Sequence, residues 1–177
     1  MTKGAHMIFE KKLVPDFMLS SFKDVTPHFL KKLGAAAVIS DIDNTLAPYE
    51  DLDAPDSVIT WIHELEAAGI KVTLVSNNNS KRVERFNKKL GCNAHANVKK
   101  PSAKYLKLSM KEMESKKENT VFLGDQLLTD SLAAHRAGIR AVIVPPIKDK
   151  KSLFFKAKRL IERPYIKKYR RTNNDET

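Results

Sequence analysis

The chain reads as a three-layer α/β protein, with one parallel sheet and helices on both faces. Three observations predict this. Strand-like and helix-like segments alternate from residue 35 to residue 144. The strand-like runs, such as Ala35-Ala36-Ala37-Val38-Ile39, are continuously apolar, as strands buried on both sides are. Successive runs stop at polar residues, namely Asp41, Ser76, Lys100 and Gly124-Asp125.

In order, Ala35–Ser40 is the first core strand. Pro55–Ala68 is a helix, opened by Pro55-Asp56 and ended by Gly69, with Val58, Ile59, Ile62, Leu65 and Ala68 at helical spacing. Ile70–Val75 is a strand and Ser80–Leu90 a helix stopped by Gly91. A short strand covers Ala94–Val98. Pro101–Met113 is a helix with Pro101 suited to its first turn. Thr120–Leu123 is a strand, Leu128–Ala137 a helix closed by Gly138, and Arg140–Val144 the last strand before Pro145-Pro146. Upstream, Ile8–Leu33 carries Leu13, Val14, Phe17, Met18, Phe22 and Val25, enough apolar surface for a helix or arm packed on the sheet or, alternatively, for a membrane or partner contact. The organisation is thus an N-terminal arm over 1–34, a core over 35–147 and a basic C-terminal helix and tail over 148–177. Neither internal repeats nor low-complexity blocks occur.

At 177 residues the chain suits one domain with a real core. Cys92 is the one cysteine, so neither a disulfide framework nor a zinc cluster can form, which fits a reducing cytosol. No apolar run approaches the ~20 residues of a membrane span. Lys11, Lys12 and Asp16 interrupt the N-terminal apolar residues, against a secretory signal. The net charge of +11 is concentrated at the C-terminus: Lys148 to Arg171 holds eleven Lys/Arg against Asp149 and Glu162. Such a segment favours anionic partners.

In an open parallel sheet, ligands sit beyond the carboxyl ends of the strands. The polar stops therefore converge on one crevice, and their types suit a phosphate monoester. In Asp41-Ile42-Asp43, an extended backbone puts both carboxylates on one side. One can attack phosphorus while the other protonates the leaving oxygen and later takes a proton from water. A carboxylate approaching a phosphate dianion meets repulsion of ~4 kcal/mol at ~4 Å and a dielectric of ~20. That corresponds to roughly a thousandfold in rate, so cations must offset it. Mg²⁺ prefers carboxylate oxygens, and Asp125 is the natural distal ligand, with Gly124 allowing close backbone approach. Asp130 either contacts the metal through water or orients Lys100; its plain reading is a helix N-cap or first-turn acid. Ser76, followed by Asn77-Asn78-Asn79, can hold phosphate oxygens or simply make a turn. Lys100 can bind phosphate as a point charge. It is preferred over Lys99 because Pro101 restricts its backbone. Phosphate-binding glycine loops of the P-loop and dinucleotide types are absent. Histidines 6, 28, 63, 95 and 135 lack metal spacing; His63, His135 and Trp61 read as surface or packing residues.

In this order the four motifs resemble the haloacid dehalogenase (HAD) superfamily of phosphohydrolases. The matching stretches are Asp41-Ile42-Asp43-Asn44-Thr45-Leu46, Ser76, Lys100, and Gly124-Asp125 through Asp130. The resemblance implies a Rossmann-like, HAD-like core. It implies Asp41 as nucleophile, Asp43 as acid/base, and Mg²⁺ held by Asp41, the Asp43 backbone carbonyl and Asp125, with Asp130 nearby. Asn44 and Asn77 join Ser76 and Lys100 around the phosphate. Leu13-x-Pro15, Ser21, Ser-Asn-Asn, Lys-Pro and Gly-Asp-Gln-Leu-Leu-Thr-Asp are similar to the YqeG-type group of subfamily IIIA, related to phosphatidylglycerophosphate phosphatases. Around Lys151–Arg163 the group often shows a Thr…Asn-Arg pattern, where this chain has Phe154-Phe155-Lys156-Ala157-Lys158-Arg159.

The intervals Asp41 to Ser76 (35 residues) and Ser76 to Lys100 (24 residues) leave no room for a cap domain. An uncapped crevice suits a large or surface-bound substrate. A helix over Ser152–Arg163 has apolar residues on one side and cations elsewhere. It either lies on anionic lipid or packs on the sheet with a solvated basic side. The leading expectation is a Mg²⁺-dependent phosphatidylglycerophosphate phosphatase, cytoplasmic and peripheral at the inner face of the membrane. Its alternatives are a phosphatase of a soluble sugar phosphate, nucleotide or nucleic-acid end, and a basic RNA- or ribosome-binding protein with a vestigial site. The chain lacks the aromatic platform common in RNA binders. A phosphorylated signalling receiver fits less well, because Ser76 stands where its acceptor aspartate should be.

Overall fold

A computed structural model describes residues 12–148 and 160–169. Six parallel strands form one sheet: β1 (Phe17–Met18), β2 (Ala37–Ser40), β3 (Lys71–Val75), β4 (Asn93–His95), β5 (Thr120–Gly124) and β6 (Arg140–Ile143). Their order is β1-β6-β5-β2-β3-β4. The helices are α1 (Pro27–Lys32), α2 (Asp56–Ala67), α3 (Ser80–Asn87), α4 (Lys104–Glu112), α5 (Leu132–Ala137) and α6 (160–169). Of the expected helix over Ser152–Arg163, residues 152–159 lie outside the described residues, as does the tail beyond 169.

The central strands β2 and β5 are buried throughout, as their continuous apolar runs require. Alternate residues feed two cores. Val38, Leu74, Val121 and Leu123 meet Ile62 and Leu65 of α2 and Phe86 of α3 on one face. Ala37, Ile39, Val75 and Phe122 meet Leu106 of α4 and Ala133 and Ala134 of α5 on the other. Trp61 anchors α2 to the arm, its indole N–H donating to the Val25 carbonyl at 3.0 Å. The register sets Ser40 opposite both Leu74 and Leu123. The residues that follow these three, including Asp41, Ser76 and Asp125, therefore emerge along one edge. Among the described residues no helix is long and apolar enough to cross a membrane.

Three details depart from the sequence expectation. The helix expected from Pro101 begins at Lys104. Residues 99–102 form a turn closed by the Ser102 N–H on the Lys99 carbonyl (3.0 Å), with Lys99 at φ 54° and a cis Lys100–Pro101 peptide. The helix expected over Leu128–Ala137 opens as a π turn, Leu127–Ser131, in which the Gln126 carbonyl accepts from both Asp130 and Ser131. Such wide turns recur at functional sites. The strand expected over Ala94–Val98 is the shorter β4.

The arm does more than cover the sheet: β1 extends it, pairing Phe17 with Val142. His135 pins this strand. One ring nitrogen lies 2.7 Å from the Lys12 carbonyl and the other 2.8 Å from Asp16 Oδ2, which also accepts from the Ala141 N–H. Burial works against charge on both groups. Their mutual attraction prevails, raising the His135 pKa and lowering that of Asp16. The Asp16 contribution is present above its unfolded pKa of 3.8 and is lost as pH falls. The His135 contribution is complete below 6.5 and is lost as pH rises through the higher folded value. Asp16→Asn should therefore cost ~1 kcal/mol or less, after solvent screening, between about pH 4 and 6.5. The difference from the parent in thermal melting should shrink at alkaline pH; a pH-independent difference would rule out the ion pair as its source.

Candidate active site

The turn after β2 carries Asp41, whose N–H donates to the Leu123 carbonyl and so locks it onto the β5 edge (2.8 Å). From the turn after β4, the Lys100 ammonium reaches Asp41 Oδ1 at 2.6 Å and Asp130 Oδ1 at 2.8 Å. Lys100 is buried within this acidic group, whereas Lys99 is exposed. The Lys100 turn is held by Asn77, whose side-chain oxygen accepts from the Lys100 N–H at 2.7 Å. Asn77 is thus placed as a brace for Lys100. Asn44 is buried beside Asp43, with φ 66°, and its N–H donates to the Ala47 carbonyl.

The Asp130 carboxylate faces two ways. Its Oδ2 accepts from the Asp125 and Gln126 N–H groups (3.1 and 3.0 Å), while Oδ1 faces Lys100. This requires Gly124: a Cβ there would lie 2.5–2.6 Å from the Asp130 side chain.

Carboxylate oxygens of Asp41, Asp125 and Asp130 lie within 4.8 Å of one another. Three buried acids face one ammonium. Burial is the largest influence on Asp41 and raises its pKa to about 7; Lys100 opposes this and Asp130 reinforces it. Burial, then Asp130 and Asp41, push Asp125 well above the usual carboxylate range. Lys100 is held above its ordinary value because its acidic partners outweigh burial. Asp125 Oδ1 is buried and has no hydrogen-bond partner among the described residues. An orphaned oxygen beside two further carboxylates is a donor set for a hard divalent cation such as Mg²⁺.

Asp43 lies outside that acidic group; its side chain turns the other way. Its Oδ2 accepts from Ser76 Oγ (3.1 Å) and Asn78 Nδ2 (3.4 Å), and its Oδ1 pairs with Arg82 at 3.2 Å. The Ser76 hydroxyl in turn accepts from the Asn78 N–H (3.0 Å). The site residues therefore form two adjoining sets, one around Lys100 and one around Asp43.

Three contributors were not singled out from sequence. Arg82, in the first turn of α3, is buried and also donates to the Leu52 carbonyl (3.0 Å). An arginine three residues after a run of asparagines was the available signal. Thr45 Oγ1 donates to Asp41 Oδ2 at 3.4 Å. Glu162 of α6 is buried, accepts from the Leu128 N–H at the π turn (3.1 Å), and adds to the upward pressure on Asp125. No local pattern marks an acid that arrives from a distant helix.

Gly124→Ala should destabilise the fold by about 1–3 kcal/mol through overpacking. By displacing Asp130 from Lys100 and the Asp125 loop, it should also lower phosphatase turnover at least ~tenfold. Melting and turnover equal to the parent's would contradict the close-approach role.

Comparisons with known proteins identify the family. The family model described as haloacid dehalogenase-like hydrolase matches residues 20–144. The chain is 35% identical over 164 residues to "Probable phosphatase YqeG" of Bacillus subtilis (strain 168), covering 93% of this chain and 95% of that protein. Two crystal structures share the fold at a TM-score of 0.52. One is an uncharacterized Listeria monocytogenes serotype 4b protein (18% identity, 66% of this chain, 84% of that one). The other is hypothetical protein XCC2798 of Xanthomonas campestris (21% identity, 70% and 72%). With the family model spanning the crevice and every strand that frames it except β1, the chain belongs to the haloacid dehalogenase-like hydrolases.

Proposed function

We propose that the chain is a Mg²⁺-dependent phosphomonoesterase that works through an aspartyl-phosphate and acts on phosphatidylglycerophosphate, in phosphatidylglycerol synthesis. The observation that carries the chemistry is Asp41 held against Lys100 beside the orphaned Asp125 oxygen. Asp41, Asp125 and the Asp43 backbone carbonyl would hold the cation, which supplies positive charge to offset the repulsion between carboxylate and phosphate.

Asp41 attacks phosphorus through a carboxylate oxygen, forming one P–O bond as the ester P–O bond breaks. Asp43 acts as the general acid toward the departing alkoxide, which gains a proton as its bond to phosphorus breaks. Asp43, now ionised, then takes a proton from the water that attacks the aspartyl-phosphate. Inorganic phosphate leaves and Asp41 is restored. Lys100 holds the Asp41 carboxylate in place and presents positive charge where the phosphoryl oxygens gather. Ser76, Asn78 and Arg82 hold the Asp43 side chain until a leaving group arrives.

The relative from Bacillus subtilis, described as a probable phosphatase, supports the reaction class. Two observations support the lipid substrate. The motif set is similar to the phosphatidylglycerophosphate phosphatase group. Among the described residues only α3 stands between β3 and β4, and a loop between β2 and α2, so no cap domain covers the crevice.

The test is release of phosphate from phosphatidylglycerophosphate in detergent micelles, with Mg²⁺. The parent should release it and Asp41→Asn should fall below detection. Good turnover of soluble sugar phosphates with none of the lipid would overturn the substrate assignment.

A further inference from the structure

We infer that the mouth of the crevice is a membrane-docking surface, with α6 and the two loops facing it lying on an anionic bilayer. The inference deepens the proposed function. It rests on that reading only for why a lipid phosphate should come within reach of Asp41.

Five large apolar side chains among the described residues are markedly exposed: Leu160 (62%), Ile161 (54%), Ile147 (47%), Tyr49 (47%) and Leu52 (45%). They are distant in sequence, yet a chain of contacts brings all of them to the carboxyl edge of the sheet. The Ile147 N–H donates to the Asn44 carbonyl at 2.9 Å, next to Asp43. Leu52 gives its carbonyl to Arg82, which holds Asp43. Lys148 pairs with Glu50 at 3.3 Å, joining the loop after β6 to the loop after β2. Leu160 and Ile161 immediately precede Glu162, which is fixed to the π turn beside Asp125.

Helix α6 is anchored by its inner side, through Glu162 and through Tyr169, whose hydroxyl accepts from the Met18 N–H at 3.0 Å. Its outer side carries Leu160 and Ile161 together with the exposed Arg163, Lys167 and Lys168. Aliphatic side chains backed by cations on one helix face match the boundary between acyl chains and anionic headgroups. Among the described residues Lys148, Arg163, Lys167 and Lys168 give these elements a cationic character complementary to such a surface. Of the acids in the loop after β2, Glu50 and Asp53 are paired with Lys148 and Arg85, which blunts their repulsion. An RNA partner would be served by stacking aromatics rather than exposed leucine and isoleucine.

The experiment is flotation of the full chain with phosphatidylcholine vesicles, with and without phosphatidylglycerol, at physiological ionic strength. The parent should float with the anionic vesicles only. Leu160→Ser/Ile161→Ser should weaken that binding about tenfold or more. Its melting and its Mg²⁺-dependent turnover of p-nitrophenyl phosphate should stay unchanged. Ile147→Ser should weaken binding from the opposite side of the mouth. No flotation of the parent, equal flotation of the variants, or RNA binding without vesicle binding would overturn the inference. Flotation without hydrolysis of phosphatidylglycerophosphate would uphold docking and remove the substrate assignment. Hydrolysis in detergent micelles without flotation would do the reverse.

Discussion

The structure depends on an electrostatic imbalance at the carboxyl ends of its central strands. Asp41, Asp125 and Asp130 are buried within reach of one another, and Lys100 is the ammonium that reaches two of them. Burying charge is costly, and three carboxylates around one cation cannot all stay ionised. Burial first, and then the neighbouring acids, drive Asp41 and Asp125 upward, so that both carboxyl groups favour a bound proton. A divalent cation would replace those protons and leave Asp41 ionised for attack. Destabilisation of the metal-free site and competence of the loaded one thus share a cause.

The fold exists to impose that crowding. The register of β2 against β3 and β5 brings separate turns to one edge. The π turn lets the Asp130 carboxylate fold back over the Asp125 and Gln126 N–H groups, and Gly124 leaves room for it. Glu162 ties the same turn to α6, so the helix carrying the exposed Leu160 and Ile161 is coupled to the Asp125 loop.

Much of this was legible in the sequence because apolar runs that stop abruptly at polar residues mark strand ends. Asp41, Ser76, Lys100 and Asp125 were found that way, and the sheet with helices on both faces follows from the same runs. Residues acting by tertiary convergence were hidden. Arg82 reads as an ordinary helix cation until α3 docks it on Asp43. Glu162 reads as a lone acid in a basic segment until α6 reaches Leu128. Strand β1 is too short for a periodic signal, and its place depends on Asp16 and His135 meeting across more than a hundred residues. The helix start at Lys104 was misplaced because residues 99–102 form a turn that delivers Lys100, a demand that local helix preference does not register.

The most direct measurement is thermal melting of the metal-free protein against pH, with and without Mg²⁺, beside Asp125→Asn. Acids raised in the folded state bind more protons than in the unfolded chain. Their stability contribution is therefore lost as pH climbs from the unfolded value of 3.8 through about 7. The metal-free parent should melt progressively lower over that range, and Mg²⁺ should restore the loss most strongly at its alkaline end. Asp125→Asn should flatten the decline and abolish the Mg²⁺ effect. A parent indifferent to Mg²⁺, with Asp125→Asn following the same pH curve, would contradict the crowded-carboxylate account.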